Sequence, residues 1–361
     1  MKKNIGLLSG DGIGPEVAAE GVKALNAVAE AFGHEFNFTE GLVGAIAIDK
    51  TGDPFPEETY QVCKNSDAVL FGAIGDPKYD NDPTAKVRPE QGLLRMRKSL
   101  GLFANLRPVR SYKVLEEASP LKSDRISGTD FLVFRELTGG LYFGSPRGRS
   151  EDGKTAFETS IYTEEEIIRI TKLAFEAARK RRNKVTLVDK ANVLVTSRLW
   201  REVVTKYAAE NFSDVELDFL FVDNAAMQLI LNPSQFDVIL TENLFGDIIT
   251  DEASVIAGSL GMLPSASVGS GLGLYEPIHG SYPQAAGKNI ANPMASILSA
   301  AMLLETSFDL VKEANVIRDA VEEALNTGFV TVDINSEKHY STTEVGDKIA
   351  ALIKEKAAAL A

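Results

Sequence analysis

Apolar positions along the chain fall into two alternating rhythms. Short continuous or alternating apolar runs at 5–9, 68–71, 103–109, 131–135, 185–188, 217–222 and 238–240 predict strands. Segments with helical spacing lie between and beyond them, at 15–32, 57–64, 92–100, 164–180, 196–209, 225–231 and 245–260. Pro15 stands where the first of these helices must begin. Three further helical patterns, near 293–304, 310–326 and 345–360, fill the C-terminal quarter. Strands alternating with helices predict an α/β fold. The glycine-rich stretch 136–159 breaks the rhythm and reads as short strands with turns, a hairpin arm projecting from the body. No repeat or low-complexity linker interrupts the chain, and composition alone places no domain boundary.

Composition narrows the function classes. A chain of 361 residues, 44% hydrophobic and 25% charged, has room for a large core and suggests two domains or one large α/β unit. The formal charge of −13 argues against nucleic acid or an anionic membrane as the main partner. It leaves a small acidic substrate open, because local arginines outweigh a distant field. Cys63 is the single cysteine, so no intrachain disulfide forms and a reducing compartment is expected. Its place in the amphipathic segment 57–64 reads as an inert packed thiol. The apolar run at the start is too short for a signal peptide, and no stretch approaches a membrane span. A cytoplasmic enzyme is the expectation.

Several residues carry candidate chemistry. Gly10-Asp11-Gly12-Ile13-Gly14-Pro15 follows a strand and opens a helix, but lacks the third glycine of a dinucleotide fingerprint at its proper spacing, so a tight turn competes with a phosphate loop. The run Ser267–Gly273 reads as a mobile loop. Asp247 and Asp251 stand four apart and share one helix face. Unneutralised, such a pair costs roughly 0.2–0.5 kcal/mol. A hard divalent cation would remove that cost, although a solvated acidic face has the same spacing. Asp223 ends an apolar strand, where α/β enzymes place functional groups and where helix N-caps also fall. Lys190 also ends a strand, as a base or as a snorkelling cation. Arg95 and Arg97 lie together in one helix, and Arg107 and Arg135 end strands. Guanidinium forks of this kind suit a dicarboxylate. Arg179-Lys180-Arg181-Arg182 ends a helix and reads as a solvated terminus. His279 has no metal-ligand partner at fixed spacing, which favours a ring that stacks on or bonds a ligand. No Gly-x-Ser-x-Gly elbow supports a serine hydrolase.

Six ordered segments, 10–17, 92–107, 136–144, 188–192, 243–251 and 276–293, together resemble the β-decarboxylating dehydrogenases of the isopropylmalate, isocitrate, homoisocitrate and tartrate/malate group. The resemblance spans essentially the whole chain. It implies a two-domain α/β sheet fold like that of isopropylmalate dehydrogenases, not a standard Rossmann domain. Domain one (1–102 plus 258–361) would hold both termini and the cofactor side. Domain two (103–257) would carry the dimer interface, with the arm near 137–160. It implies NAD and Mg2+ or Mn2+ as cofactors, a homodimer with shared active sites, and no nucleic-acid or membrane partner. By the same resemblance, Arg97, Arg107 and Arg135 clamp the malate carboxylates. Asp247 and Asp251 ligate the metal from one subunit, and Asp223 from the other. Lys190 of that neighbour assists removal of the hydroxyl proton, Tyr142 protonates the product carbon, and Asn192 lies beside the nicotinamide.

The cofactor loop implied is His279, Gly280, Ser281, Tyr282, Pro283, Gln284, Ala285 and Ala286, running on to Asn292. A second wall spans 76–90 from Asp76 to Glu90, and Ile13 comes from the glycine turn. Gln284 stands where many NAD-using relatives carry an aspartate on the ribose hydroxyls. The Lys-Tyr pair of NADP-binding relatives is missing, so NAD is expected. Leu93 and Leu94, after Glu90, offer apolar surface to an isopropyl group, worth about 1–3 kcal/mol against a smaller or charged substituent. Isocitrate enzymes place a serine and an asparagine there. The resemblance therefore implies oxidative decarboxylation of 3-isopropylmalate to 4-methyl-2-oxopentanoate in leucine biosynthesis, with D-malate or tartrate oxidation as the alternative. A non-catalytic regulatory paralogue would be expected to lack Lys190, Tyr142 or one of the aspartates, and all are present.

Overall fold

The structure is a computed structural model that describes residues 1–82 and 84–360. In chain order its strands are β1 (Lys2–Gly10), β2 (Glu35–Glu40), β3 (Ala68–Ala73), β4 (Leu102–Arg110), β5 (Asp130–Glu136), β6 (Gly148–Arg149), β7 (Ala156–Phe157), β8 (Lys184–Asp189), β9 (Glu216–Phe221), β10 (Val238–Thr241), β11 (Pro264–Gly269) and β12 (Gly273–Pro277). The chain divides into two compact units, Met1–Leu102 with Ser259–Ala361, and Phe103–Gly258.

In the first unit the strand order is β2-β1-β3-β12-β11. β1 pairs in parallel with β2 and β3, β12 runs parallel to β3, and β11 is antiparallel to β12. This order differs from that of a Rossmann sheet. All six residues of β3 are buried, as expected for a strand covered on both faces. The helix Gly14–Phe32 carries Pro15 in its first turn and is capped by Gly33, whose φ of 71° lets its N–H reach Ala29 O. Its buried stripe of Val17, Ala18, Gly21, Ala24, Leu25 and Val28 follows helical spacing. Each fully buried Leu or Val there contributes about 1.5–3 kcal/mol.

In the second unit the order is β4-β5-β10-β8-β9, with β4 antiparallel to β5 and the others parallel. Phe131, Val133, Ile239, Ile249 and Phe236 lie in its core. The stretch 136–159 forms the expected hairpin, a two-residue ladder of β6 and β7 with all four residues exposed.

The structure corrects some sequence expectations. Ser267–Gly269 is not loop but the end of β11, and residues 270–272 are a short turn into β12. The helix expected over 245–260 stops at Ser254, gives way to a 3-10 turn at Val255–Ala257, and ends at Gly258 with φ 77°. The run 179–182 is no solvated terminus. Arg181 pairs with Asp130 (2.5 Å) and with the buried Asp237 (2.9 Å), whose other oxygen accepts from the Arg182 backbone N–H. Cys63 is buried, and burial pushes its thiol up to about 12.

Candidate active site

In the second unit two antiparallel strands aim two arginines at one helix. Asn105 on β4 sits opposite Arg135 on β5, and Arg107 lies two residues along from Asn105. The pleat therefore puts both guanidiniums on the same face of the sheet. The helix Asn243–Ser254 follows β10 and turns Asp247 and Asp251 toward them. Arg135 Nη1 lies 2.5 Å from Asp247 Oδ1, and Arg107 Nη1 lies 3.1 Å from Asp251 Oδ1. Arg107 also donates to Thr250 Oγ1 (2.8 Å) and Asn105 Oδ1 (2.9 Å). Tyr142 donates its hydroxyl hydrogen to Asp247 Oδ2 (2.7 Å). Burial first, and that bond second, hold its phenol up to about 12, so it stays protonated.

Asp247 and Asp251 side chains remain 39% and 77% exposed, so a ligand can reach both carboxylates, and the Asp247 oxygens, already paired with Arg135 and Tyr142, keep further lone pairs for it. Two carboxylates with open positions are the donor set Mg2+ or Mn2+ takes when substrate and water complete the shell. Among the described residues no three His, Cys, Asp or Glu side chains gather as a metal cage, so Asp223 does not join the pair within one chain.

Asp223 lies instead against Lys190, with Nζ 2.8 Å from Oδ1. They meet because β8 and β9 are parallel neighbours in register, Asp189 beside Phe221, and both residues follow the strand ends. The Lys190 bond holds the Asp223 carboxyl below its usual range. Asp223 is not an N-cap. It lies in the first turn of the helix Val222–Leu231, whose cap is Phe221 without a side-chain bond. Asn192 is exposed next to Val193, Leu194 and Val195, which are exposed too.

In the first unit the helix Pro89–Ser99 carries Glu90, Leu93, Leu94 and Arg97 at spacings of three and four, one stripe. Gly92 and Met96 face the interior. Leu93 packs partly into the core beside Met96, and Leu94 is half-buried. Arg97 Nη2 lies 3.1 Å from Glu276 Oε1, and its buried Nε has no partner, which leaves donor capacity for a carboxylate. Arg95 is structural. It pairs with Asp53, donates to Phe55 O and lies over the Phe55 ring.

The glycine turn is a fastening point for the loop after His279. The buried Asp11 carboxylate accepts from the N–H of Ala45 (2.7 Å), Ile46 (2.8 Å) and Gly75 (3.0 Å). Ile13 N donates to Ser281 O (2.8 Å), and the Ile13 side chain packs on Ala285. A Cβ on Gly12 would lie 2.0 Å from Ser281 O, so only glycine admits this approach. Ser281 Oγ donates to Gly75 O (2.7 Å) and lies near the place a Gly75 Cβ would take, as does Glu90 Oε1.

Gly280, Tyr282, Gln284 and Ala286 are exposed, and Pro283 is half-buried. Asp76 caps the short helix Pro77–Asp80 through Lys78 N. Pro83, inside the wall expected at 76–90, lies outside the described residues. His279 Nδ1 contacts Gly280 O (2.9 Å), while its buried Nε2 has no partner, and burial lowers its pKa. An orphaned ring nitrogen beside an exposed loop fits a polar ligand such as a nucleotide. Asn292 is committed on both sides, to Asp333 (3.1 Å) and to Met294 N (3.0 Å).

Sequence reasoning missed Asp11, Thr250, Asn243 and Glu276. Asp11 had a signal, an acid inside a glycine turn. The other three are recognisable only through their partners.

Residues 4–349 match the family model described as isocitrate/isopropylmalate dehydrogenase. The chain belongs to that family. A Bacteroides fragilis 3-isopropylmalate dehydrogenase is 56% identical over 98% of this chain and 100% of its own, and one from Aquifex aeolicus is 56% identical over 97% of each. Among solved structures, isocitrate dehydrogenase from Methylococcus capsulatus matches with a TM-score of 0.86 at 32% identity, covering 98% of this chain and 99% of its own. A β-decarboxylating dehydrogenase from Thermococcus kodakarensis gives 0.81 at 35%, covering 98% and 96%. No helix among the described residues is long and apolar enough to cross a membrane.

Proposed function

We propose that this family member oxidises and decarboxylates (2R,3S)-3-isopropylmalate to 4-methyl-2-oxopentanoate and carbon dioxide, with NAD+ reduced, as a cytoplasmic enzyme of leucine biosynthesis. The observation that carries this reading is the pairing of Arg107 and Arg135 with Asp251 and Asp247, beside the Tyr142 hydroxyl. It brings carboxylate recognition from β4 and β5 and a proton donor from the turn at Gly140–Tyr142 against a hard-cation donor pair on one short helix. The relatives that are more than half identical over nearly the whole chain carry the matching name.

When bound, NAD+ supplies a hydride acceptor and Mg2+ or Mn2+ supplies Lewis acidity beside the C2 hydroxyl. Asp247 and Asp251 would hold the cation, with Asp223 from a second copy. His279, the backbone of 280–286, Ile13, Asp76, Glu90, Asn192 and the neighbourhood of Asn292 would hold the dinucleotide. Gln284 offers an amide to the ribose hydroxyls. Arg97, Arg107 and Arg135 bind the two carboxylates and fix the substrate's orientation. Lys190 Nζ, kept in place by Asp223, takes part in removing the C2 hydroxyl proton. Once the C3–carboxylate bond breaks, the Tyr142 hydroxyl gives its proton to C3. Leu93 and Leu94 face the isopropyl group and Glu90 borders it.

An exposed apolar stripe supports the reading of a homodimer. Met227, Ile230 and Leu231 share one face of the helix Val222–Leu231 and are 55%, 43% and 52% exposed, with Asp223 one turn before Met227 on the same side. A second copy covering that face would take Lys190 and Asp223 into its own site.

Apolar residues at these positions leave D-malate or tartrate oxidation as the alternative, and a substrate panel separates the two. NADH formation is compared for 3-isopropylmalate, D-malate, tartrate and isocitrate. Isopropylmalate should give the highest kcat/KM by about tenfold or more, the worth of its apolar substituent. A higher value for D-malate would replace the substrate assignment.

A further inference from the structure

Asn243 joins two parts of the second unit that the chemistry needs to keep in register. It is 1% exposed, and each polar group of its side chain is used. Its Oδ1 accepts from Arg135 Nη2 (2.9 Å) and Nε (3.2 Å), and its main-chain O accepts from the same Nε (3.0 Å). Its Nδ2 donates to Gly139 O (3.2 Å), in the turn that carries Tyr142. Only this orientation of the amide works. Reversed, it would set N–H2 against a guanidinium and oxygen against a carbonyl.

A pillar stands under the same turn. The Asn243 N–H donates to the Tyr162 hydroxyl (3.0 Å). A Cβ on Gly139 would lie 2.6 Å from the Tyr162 ring, and one on Gly140, whose φ is 72°, would lie 2.4 Å from its hydroxyl. Glu136, fully buried, accepts from Gly139 N (2.7 Å) and Thr138 N (2.9 Å) and closes the turn from below. The two glycines let the chain lie flat on Tyr162, and the Asn243 amide is its polar tie to Arg135.

We propose that Asn243 is a positioning residue that couples the Arg135 carboxylate clamp to the Tyr142 proton donor. This rests on the function proposed above. Arg135 fixes where the substrate carboxylate sits, and Tyr142 must then meet C3. When the C3–carboxylate bond breaks, carbon dioxide leaves and the bond's electron pair passes into the enolate of the 2-oxo acid. That pair then forms a C3–H bond with the proton of the Tyr142 O–H, and solvent returns a proton to the phenolate. A displaced Tyr142 would leave protonation to water from either side.

The test is Asn243→Asp, which still accepts from Arg135 but sets a carboxylate oxygen against Gly139 O. Asn243→Ala removes both ties. Thermal unfolding first establishes that each variant is folded at assay temperature. Wild-type turnover of isopropylmalate in D2O, with the keto acid trapped by reduction as it forms, should place deuterium on one face of C3. For Asn243→Asp we expect kcat to fall about tenfold or more, since small misplacements are costly, with KM changed less than about threefold. Deuterium should appear on both faces of C3. Asn243→Ala should raise KM as well. If Asn243→Asp does not fold, Tyr162→Phe, which removes the acceptor for Asn243 N–H and keeps the ring, should mix the faces in part.

Unchanged kcat with single-face deuteration in a folded Asn243→Asp, or in Tyr162→Phe where it stands in, would overturn the proposal. A loss of kcat with stereochemistry intact would do so too. A wild-type enzyme that does not turn over isopropylmalate would instead remove the reading beneath it.

Discussion

Arg135 reaches Asp247 with one guanidinium nitrogen and Asn243 with two others, so its fork is fixed before any ligand arrives. A lysine offers one point charge and cannot reproduce that geometry. Losing a charge-assisted hydrogen bond of about 1.5–3 kcal/mol corresponds to roughly 10–100-fold in kcat/KM. Arg135→Lys is therefore expected to lose about that much in a steady-state assay, and a loss below about threefold would count against the carboxylate role.

Cys63 yields a pH prediction. Burial raises its thiol to about 12, so the reactive thiolate is suppressed in the folded protein through pH 10 and appears only on unfolding. A thiol reagent at pH 8 should label it in denaturant and leave the native enzyme unlabelled. Rapid native labelling would show the thiol to be accessible.

The sequence made Asp247, Asp251 and Arg135 legible, because four-residue spacing and a strand end are readable in one dimension; Arg107, expected at a strand end, lies instead inside β4, where its pairing with β5 continues to Arg110. It could not reveal Asn243, whose meaning lies in contacts with residues 104 and 108 positions away. Asp223 was visible as a strand-end acid, yet only the parallel register of β8 and β9 identifies Lys190 as its partner.

Among the elements, the helix Asn243–Ser254 depends on a glycine for its place against β5. A Cβ on Gly246 would lie 2.5 Å from Arg135 Cγ and 2.8 Å from its Cβ. Gly246→Ala should destabilise by about 1–3 kcal/mol through overpacking, measured by urea unfolding, and raise KM by displacing Arg135. Unaltered stability and KM would mean the stem yields freely. The long helices were legible because their buried stripes recur at helical spacing. β2 and β11 were not. β2 is a mostly polar edge strand, Glu-Phe-Asn-Phe-Thr-Glu, and β11 is a run of small residues buried by its neighbours, with no alternation to read. The arginines at 181 and 182 looked like a helix end in water, and the buried Asp237 gives them their place.

For the molecule as a whole, the charge of −13 does not oppose the carboxylate binding proposed for Arg107 and Arg135, because their guanidiniums lie within ion pairs rather than in the bulk field. The apolar stripe of the helix Val222–Leu231 carries the assembly prediction. Ile230→Lys, on that exposed face, should convert a dimer to monomer in sedimentation velocity and abolish NADH formation while the far-ultraviolet circular dichroism stays unchanged. A fully active monomer would contradict a shared site.

The most direct measurement follows NADH and 4-methyl-2-oxopentanoate together as purified protein consumes 3-isopropylmalate. One of each should appear per substrate consumed, should cease on complete chelation of divalent metal, and should return when Mg2+ or Mn2+ is restored. NADH without the decarboxylated acid, or turnover that survives complete metal removal, would contradict the account.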